Sequence, residues 1–179
     1  MNPLDQPALD SPRLPARDRA GHKGTFGTVL VIGGCCAGEV RMIGAPALAA
    51  RAALRSGCGL AKLAMPAPII DAGIALCPSA TGIALSVGSD GSIKPHDAAE
   101  RLDALRPKSQ CVIVGPGLGR GQGPRDVSLR CVLQEDVPVV VDADAINSLA
   151  EIPELTRDFR AAAVLTPHPG EFSDRKSVV

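Results

Sequence analysis

Four times along this chain a short run of apolar, mostly β-branched residues stops in a turn built of glycine, proline or aspartate, with helix-forming stretches between several of them. The first run is 28–32, ahead of Gly33-Gly34, and the second is 111–114, ahead of Gly115-Pro116-Gly117-Leu118-Gly119. The third is 137–141, ahead of Asp142-Ala143-Asp144-Ala145, and the last is 162–165, ahead of Thr166-Pro167-His168-Pro169-Gly170-Glu171. Unbroken apolar strands of this kind are covered on both faces, so the pattern predicts βαβ units around a mostly parallel sheet. Ligands of such sheets gather at the carboxyl ends of strands, and the four loops therefore define one candidate site.

The remaining elements follow from local chemistry. Ala, Leu and Arg are strong helix formers, so 44–56 reads as a helix with Pro46 in its first turn and Gly57 as a left-handed terminator. Residues 59–64 read as a second strand ended by Met65-Pro66, 68–76 as a weaker helix, and 81–87 as a strand closed by the Gly88–Ser92 turn. Asp97 with Glu100 resembles a capping box for a helix running to about Leu105. Residues 1–20 carry four prolines without apolar periodicity and are expected to form an extended leader, with the domain covering 21–179.

Composition excludes several classes of function. At 179 residues and 45% apolar content the chain suits one globular domain, burying roughly 70% of its unfolded surface. Lys+Arg and Asp+Glu both count 19, and the aromatic content of 2% is all Phe, so neither a polycation nor a base-stacking platform is available for nucleic acid. No stretch approaches the ~20 apolar residues of a membrane span, and no signal-type N-terminus is evident, which points to the cytoplasm. Cys35, Cys36, Cys58, Cys77, Cys111 and Cys131 form no C-x-x-C pair and read as small buried hydrophobes in a reducing compartment. The adjacent Cys35 and Cys36 lie in a glycine-rich loop, the one place where a thiol could instead be exposed and reactive.

Within the loops, Gly115, Gly117 and Gly119 allow close backbone approach and present successive N–H groups able to bind an anion. A Rossmann dinucleotide loop would need a third glycine where Arg120 stands, which weakens that reading without removing it. Asp142 and Asp144 are placed to accept from sugar hydroxyls or to hold magnesium through water, and Asp144 equally suits a helix N-cap. His168 is framed by two prolines, with Glu171 three residues on. His22-Lys23-Gly24 could set a cation over the site or form a solvated approach to the first strand.

Taken together, residues 22–34, Gly44-Ala45-Pro46 with the helix to Gly57-Cys58-Gly59-Leu60, 114–119, 141–147 and 165–171 resemble the ADP/ATP-dependent NAD(P)H-hydrate dehydratases in order and spacing, over about 15–172. The resemblance implies a ribokinase-like α/β fold, a mostly parallel sheet flanked by helices and incomplete at the C-terminal side. It implies repair of hydrated NADH or NADPH with ADP or ATP and Mg2+: the added hydroxyl is phosphorylated and leaves as phosphate. Ala45, Gly117 and His168 would contact the hydrated dinucleotide, and Gly115, Gly119, Asp142 and Asn147 would support it, with Glu171 as a weak metal candidate.

The chain departs from the family pattern in two places. Gly33-Gly34-Cys35-Cys36 and Glu39-Val40-Arg41 replace the usual Gly-Gly-Ser loop. The family's Gly-Ser-Gly-Asp segment, a helix N-terminus that binds phosphates and supplies the catalytic aspartate, has no counterpart here, and residues 173–179 are not expected to be family sequence. Positioned donors each contribute ~10²-fold or more to rate, so this polypeptide alone is expected to be inactive. A ribokinase-fold kinase of a small vitamin-precursor alcohol and a non-catalytic nucleotide-binding module are the alternatives. A homo-oligomer is compatible with the sequence.

Overall fold

A computed structural model describes residues 16–170. Six strands, β1 (Thr28–Ile32), β2 (Leu60–Pro66), β3 (Thr81–Leu85), β4 (Cys111–Val114), β5 (Val139–Asp142) and β6 (Ala163–Thr166), form one sheet in the order β3-β2-β1-β4-β5-β6. Every neighbouring pair is parallel, so all strand ends that carry the predicted loops lie along a single edge.

The chain alternates strictly, with α1 (Gly44–Arg55), α2 (Ile70–Leu76), α3 (Pro95–Leu105), α4 (Gln122–Val132) and α5 (Asp144–Ala150) between successive strands. Period-two alternation divides each central strand between the two faces. Leu30 and Ile32 of β1 pack with Ala98, Leu102, Val127 and Leu149 of α3, α4 and α5, while Val31 packs with Ala47 and Ala50 of α1. Leu30, Val31 and Ile32 are fully buried, and each such side chain contributes roughly 1.5–3 kcal/mol. β6 is an edge strand with Val164 and Leu165 exposed.

Several local expectations are corrected. β2 continues through Met65 and Pro66, because β1 pairs no further than Ala64 and the missing N–H of Pro66 therefore breaks no bond to that neighbour. β3 stops at Leu85, and Val87 instead bridges Ile93 across the Gly88–Ser92 turn. The capping box does not form: Pro95 occupies the first helical turn of α3, Lys94 precedes it, and Glu100 lies 3.6 Å from His96. β5 and β6 are shifted toward their polar ends, taking in Asp142 and Thr166, which are register partners. α4 was not anticipated, since Gly121, Gly123 and Pro124 disguise its start as a loop. Residues 1–15 of the expected leader lie outside the described residues.

Candidate functional site

The order reverses between β1 and β4, from which the chain departs in opposite directions along the sheet. That is the switch point at which open α/β sheets leave a crevice. Two loops meet there. The Gly34 N–H donates to Pro116 O at 3.1 Å, and the Gly115 N–H donates to Ile32 O at 3.1 Å, so the glycine loop after β4 is bonded to the end of β1.

The loop after β1 is a small hairpin rather than an open glycine turn. Cys35 N–H donates to Met42 O at 3.1 Å and Met42 N–H donates back to Cys35 O at 2.9 Å. Arg41 Nη1 donates to the carbonyls of Cys36, Gly38 and Val40, at 3.1, 2.9 and 2.8 Å, which explains the unusual arginine as an internal staple. Folding the hairpin buries Cys35 and Cys36 to 8% and 4% exposure, as expected of small hydrophobes, so neither is an exposed thiol. Burial pushes the Cys36 thiol above its ordinary value, and the Arg41 charge offsets part of that effect.

The hairpin delivers Met42 and Ala45 against the glycine loop. Gly117 has φ +59 and is buried beneath Met42, and a Cβ added there would stand 3.2 Å from Met42 Cβ and 3.8 Å from Ala45 Cβ. Two of the residues expected to grip the ligand, Ala45 and Gly117, are thus neighbours although 72 positions separate them in sequence. Gly115 is packed differently: at φ +115, its Cα faces the Asp142 carbonyl and Ala145, leaving no space for a side chain.

Across the next two strand ends, Thr166 Oγ1 donates to Asp142 Oδ1 at 2.6 Å, and Gly119 N–H donates to Asp144 Oδ2 at 2.9 Å. Asp144 is therefore not an N-cap: Ala143 holds that position, no side chain caps α5, and the carboxylate reaches to the glycine loop instead. Gly119, expected to offer its amide to a ligand, already spends it on Asp144. Asn147 is buried within α5 at 9% exposure. Thr166 and Met42 were missed from sequence; the signal available for Thr166 was a hydroxyl residue ending the strand after the one that ends in Asp142.

His168 is exposed, and its Nδ1 accepts from the Gly170 N–H at 3.1 Å, which puts the proton of a neutral ring on Nε2. Glu171 lies outside the described residues. The cation suggested near the site is elsewhere: Lys23 backs onto Gly59 where β2 begins, at the opposite edge of the sheet. Among the described residues no group of three or more His, Cys, Asp or Glu could hold a metal ion, so a magnesium ion has no built cage in them. A surface cleft of about 490 Å³ lies between α3 and α4, away from these loops, and its Arg106 and Arg130 are engaged by Asp103 and Asp136. No helix among the described residues is long and apolar enough to cross a membrane.

The sequence pattern of the family described as NAD(P)H-hydrate dehydratase matches residues 29–175. The chain is 39% identical over 159 residues to the bifunctional NAD(P)H-hydrate repair enzyme Nnr of Salinibacter ruber, covering 88% of this chain and 29% of that protein. Among solved structures it resembles the ADP/ATP-dependent NAD(P)H-hydrate dehydratase of Bacillus subtilis, co-crystallised with ATP/Mg2+, at 32% identity and a TM-score of 0.65 over 92% of this chain and 52% of that one. A ribokinase-like superfamily protein of Enterococcus faecalis, 21% identical, superposes with a TM-score of 0.65 over 91% of this chain and 55% of that one. The fold is thus ribokinase-like, and the chain spans about a third to a half of the length of these relatives.

Proposed function

The chain belongs to the NAD(P)H-hydrate dehydratase family, and we propose that it supplies the dinucleotide-gripping part of an enzyme that repairs hydrated NADH and NADPH. The observation that carries this reading is the meeting of Ala45 and Gly117 across the β1–β4 switch point, where a crevice for an extended ligand belongs. ADP or ATP with Mg2+ would supply the phosphoryl group that turns the added hydroxyl into a leaving group. The chain's own residues bind and orient. Gly117, beside Met42 and Ala45, has a bare Cα that lets the ligand lie close to backbone. His168 stands in a loop constrained by Pro167 and Pro169, at the carboxyl end of β6. Asp142 and Asp144 act on loops, each carboxylate accepting a hydrogen bond from a neighbouring segment. The unpaired cysteines suit a reducing compartment, and we place the protein in the cytoplasm.

Thermal unfolding of this chain with different ligands tests the reading, because a ligand at ~100 Kd stabilises by about 2.7 kcal/mol. Hydrated NADPH is expected to raise the melting temperature more than NADPH itself. Stabilisation by a small vitamin-type alcohol alone would favour the kinase reading, and by nucleotide alone the binding-module reading. Incubation with hydrated NADH and ATP, read as recovery of the nicotinamide absorbance, tests whether the chain turns over unaided.

A further inference from the structure

Ala143 has φ 45 and ψ −111, a backbone conformation that L side chains rarely adopt, and it stands between two aspartates. Its peptide geometry sends the flanking carboxylates to different segments. Asp142 receives the Thr166 hydroxyl at 2.6 Å, and Asp144 receives the Gly119 amide at 2.9 Å. The backbone of the same segment closes against Gly115, whose Cα abuts the Asp142 carbonyl. One tripeptide thereby joins the loops that follow β4, β5 and β6.

We infer that Asp142-Ala143-Asp144 is a positioning clamp, in which Asp144 holds the glycine loop and Asp142 holds the end of β6, fixing the spacing between Gly117 and His168 before any ligand arrives. Hydrogen bonds to an ionised acceptor are roughly twice as strong as neutral ones, so a carboxylate is the group suited to pin a glycine-rich loop whose backbone has the most freedom to lose. The Asp144 carboxylate also fills the place an anion would take on the Gly119 amide. Ligand phosphates are thereby turned away from Gly119, and Gly117 is left as the glycine that faces Ala45. Neither aspartate touches the reacting atoms; both act through the loops they hold. Preorganisation of this kind raises affinity by removing the cost of ordering loops on binding. The ligand arm of the test rests on the dehydratase reading, whereas the loop arm does not.

The test is amide hydrogen exchange by NMR on this chain, wild type, Asp144→Ala and Asp144→Asn, with calorimetric titration of hydrated NADPH. Asp144→Ala is expected to speed exchange at Gly119 by about tenfold or more, the size of one charge-assisted hydrogen bond, while Leu30 and Val112 in the sheet keep their protection. Asp144→Asn retains an acceptor oxygen and is expected to restore most of that protection. Affinity should follow the same order, falling about tenfold in the alanine variant and recovering in the asparagine variant. Unchanged Gly119 exchange in Asp144→Ala, or a rise spread evenly over the whole sheet, overturns the clamp. So does loss of binding in Asp144→Asn with Gly119 still protected, because the carboxylate would then be touching the ligand. If the alanine variant does not fold, Thr166→Val carries the exchange arm, with loosening confined to residues 166 and 168 as the expected result and none as the overturning one. If the wild-type chain does not bind the hydrate, the dehydratase reading fails and the exchange arm still decides the clamp.

Discussion

The Thr166 hydroxyl donates to the Asp142 carboxylate at 2.6 Å, and the two residues are register partners at the carboxyl ends of β5 and β6. The bond ties an edge strand to the sheet at the point where the chain turns toward His168. Replacing Thr166 by Val keeps the shape and removes the donor. Both residues are at least partly open to solvent, so the loss should be about 1 kcal/mol, read as a fall of roughly 2–4 °C in melting temperature.

Gly115 and Gly117 lie two residues apart with different consequences for an added methyl. At Gly115, φ is +115 and the Cβ would collide with the Asp142 carbonyl, a backbone atom that cannot give way. Gly115→Ala is expected to cost at least about 2 kcal/mol in urea denaturation. At Gly117, φ is +59 and the nearest atoms, Met42 Cβ at 3.2 Å and Met42 Cε at 3.3 Å, are tight contacts rather than a backbone collision. Gly117→Ala should cost nearer 1 kcal/mol in stability, yet weaken binding of the dinucleotide disproportionately by filling the gap beside Ala45. Equal losses of stability in the two variants would contradict this account.

The strands were legible where their chemistry was local. Val29–Ile32 and Cys111–Val114 are continuous apolar runs, and both form strands of that extent to within a residue. A polar residue at a strand end carries no hydrophobic signal, so Asp142 and Thr166 look like loop in sequence although each pairs in the ladder. α4 was hidden by Gly121, Gly123 and Pro124, residues that usually mark turns and here occupy the N-terminal turn of a helix. The convergence of the loops on one edge followed from the predicted parallel sheet. Their adjacency did not: nothing in the order of the runs says that β1 pairs β4, or that Ala45 meets Gly117. The destination of the Asp144 carboxylate was equally invisible, since a helix cap and a loop staple require the same residue at the same place.

Burial sorts the thiols. Cys35, Cys36, Cys77 and Cys131 are buried, whereas Cys58 and Cys111 are partly exposed. Labelling with a thiol-specific disulfide at neutral pH should modify Cys58 and Cys111 first and the buried four only at the rate of unfolding. Rapid labelling at Cys35 or Cys36 would mean that the hairpin stapled by Arg41 is open in solution.

Burial also pushes the Cys131 thiol up to about 12 from 9.0, with Arg106 and Arg130 lowering it only in part. The folded state therefore keeps this proton at pH values where the unfolded chain releases it. The stability contributed is fully present below the unfolded value and disappears as pH rises toward the folded one. Unfolding free energy is expected to be flat near neutrality and to fall by about 1.4 kcal/mol per pH unit above about pH 9 from this group. Cys131→Ala, or Cys131→Val where the space allows, should remove that slope in urea titrations at pH 8 to 11.

Ala143 sets two effects against each other. Its φ of 45 with ψ of −111 is a strained geometry for a residue with a Cβ, worth on the order of 1–3 kcal/mol. Glycine would relieve that strain but brings an extra backbone entropy cost of roughly 0.5–1 kcal/mol on folding. The strain is the larger quantity, so Ala143→Gly is expected to raise the unfolding free energy by up to about 1 kcal/mol. A purely structural turn would make this gain cost-free. If the methyl group instead helps hold the two flanking carboxylates on Thr166 and Gly119, the same variant should exchange the Gly119 amide faster while unfolding at a higher temperature. Opposite movement of local protection and global stability in one variant is the signature expected of a strained residue kept to aim its neighbours, and parallel movement of the two would rule that role out.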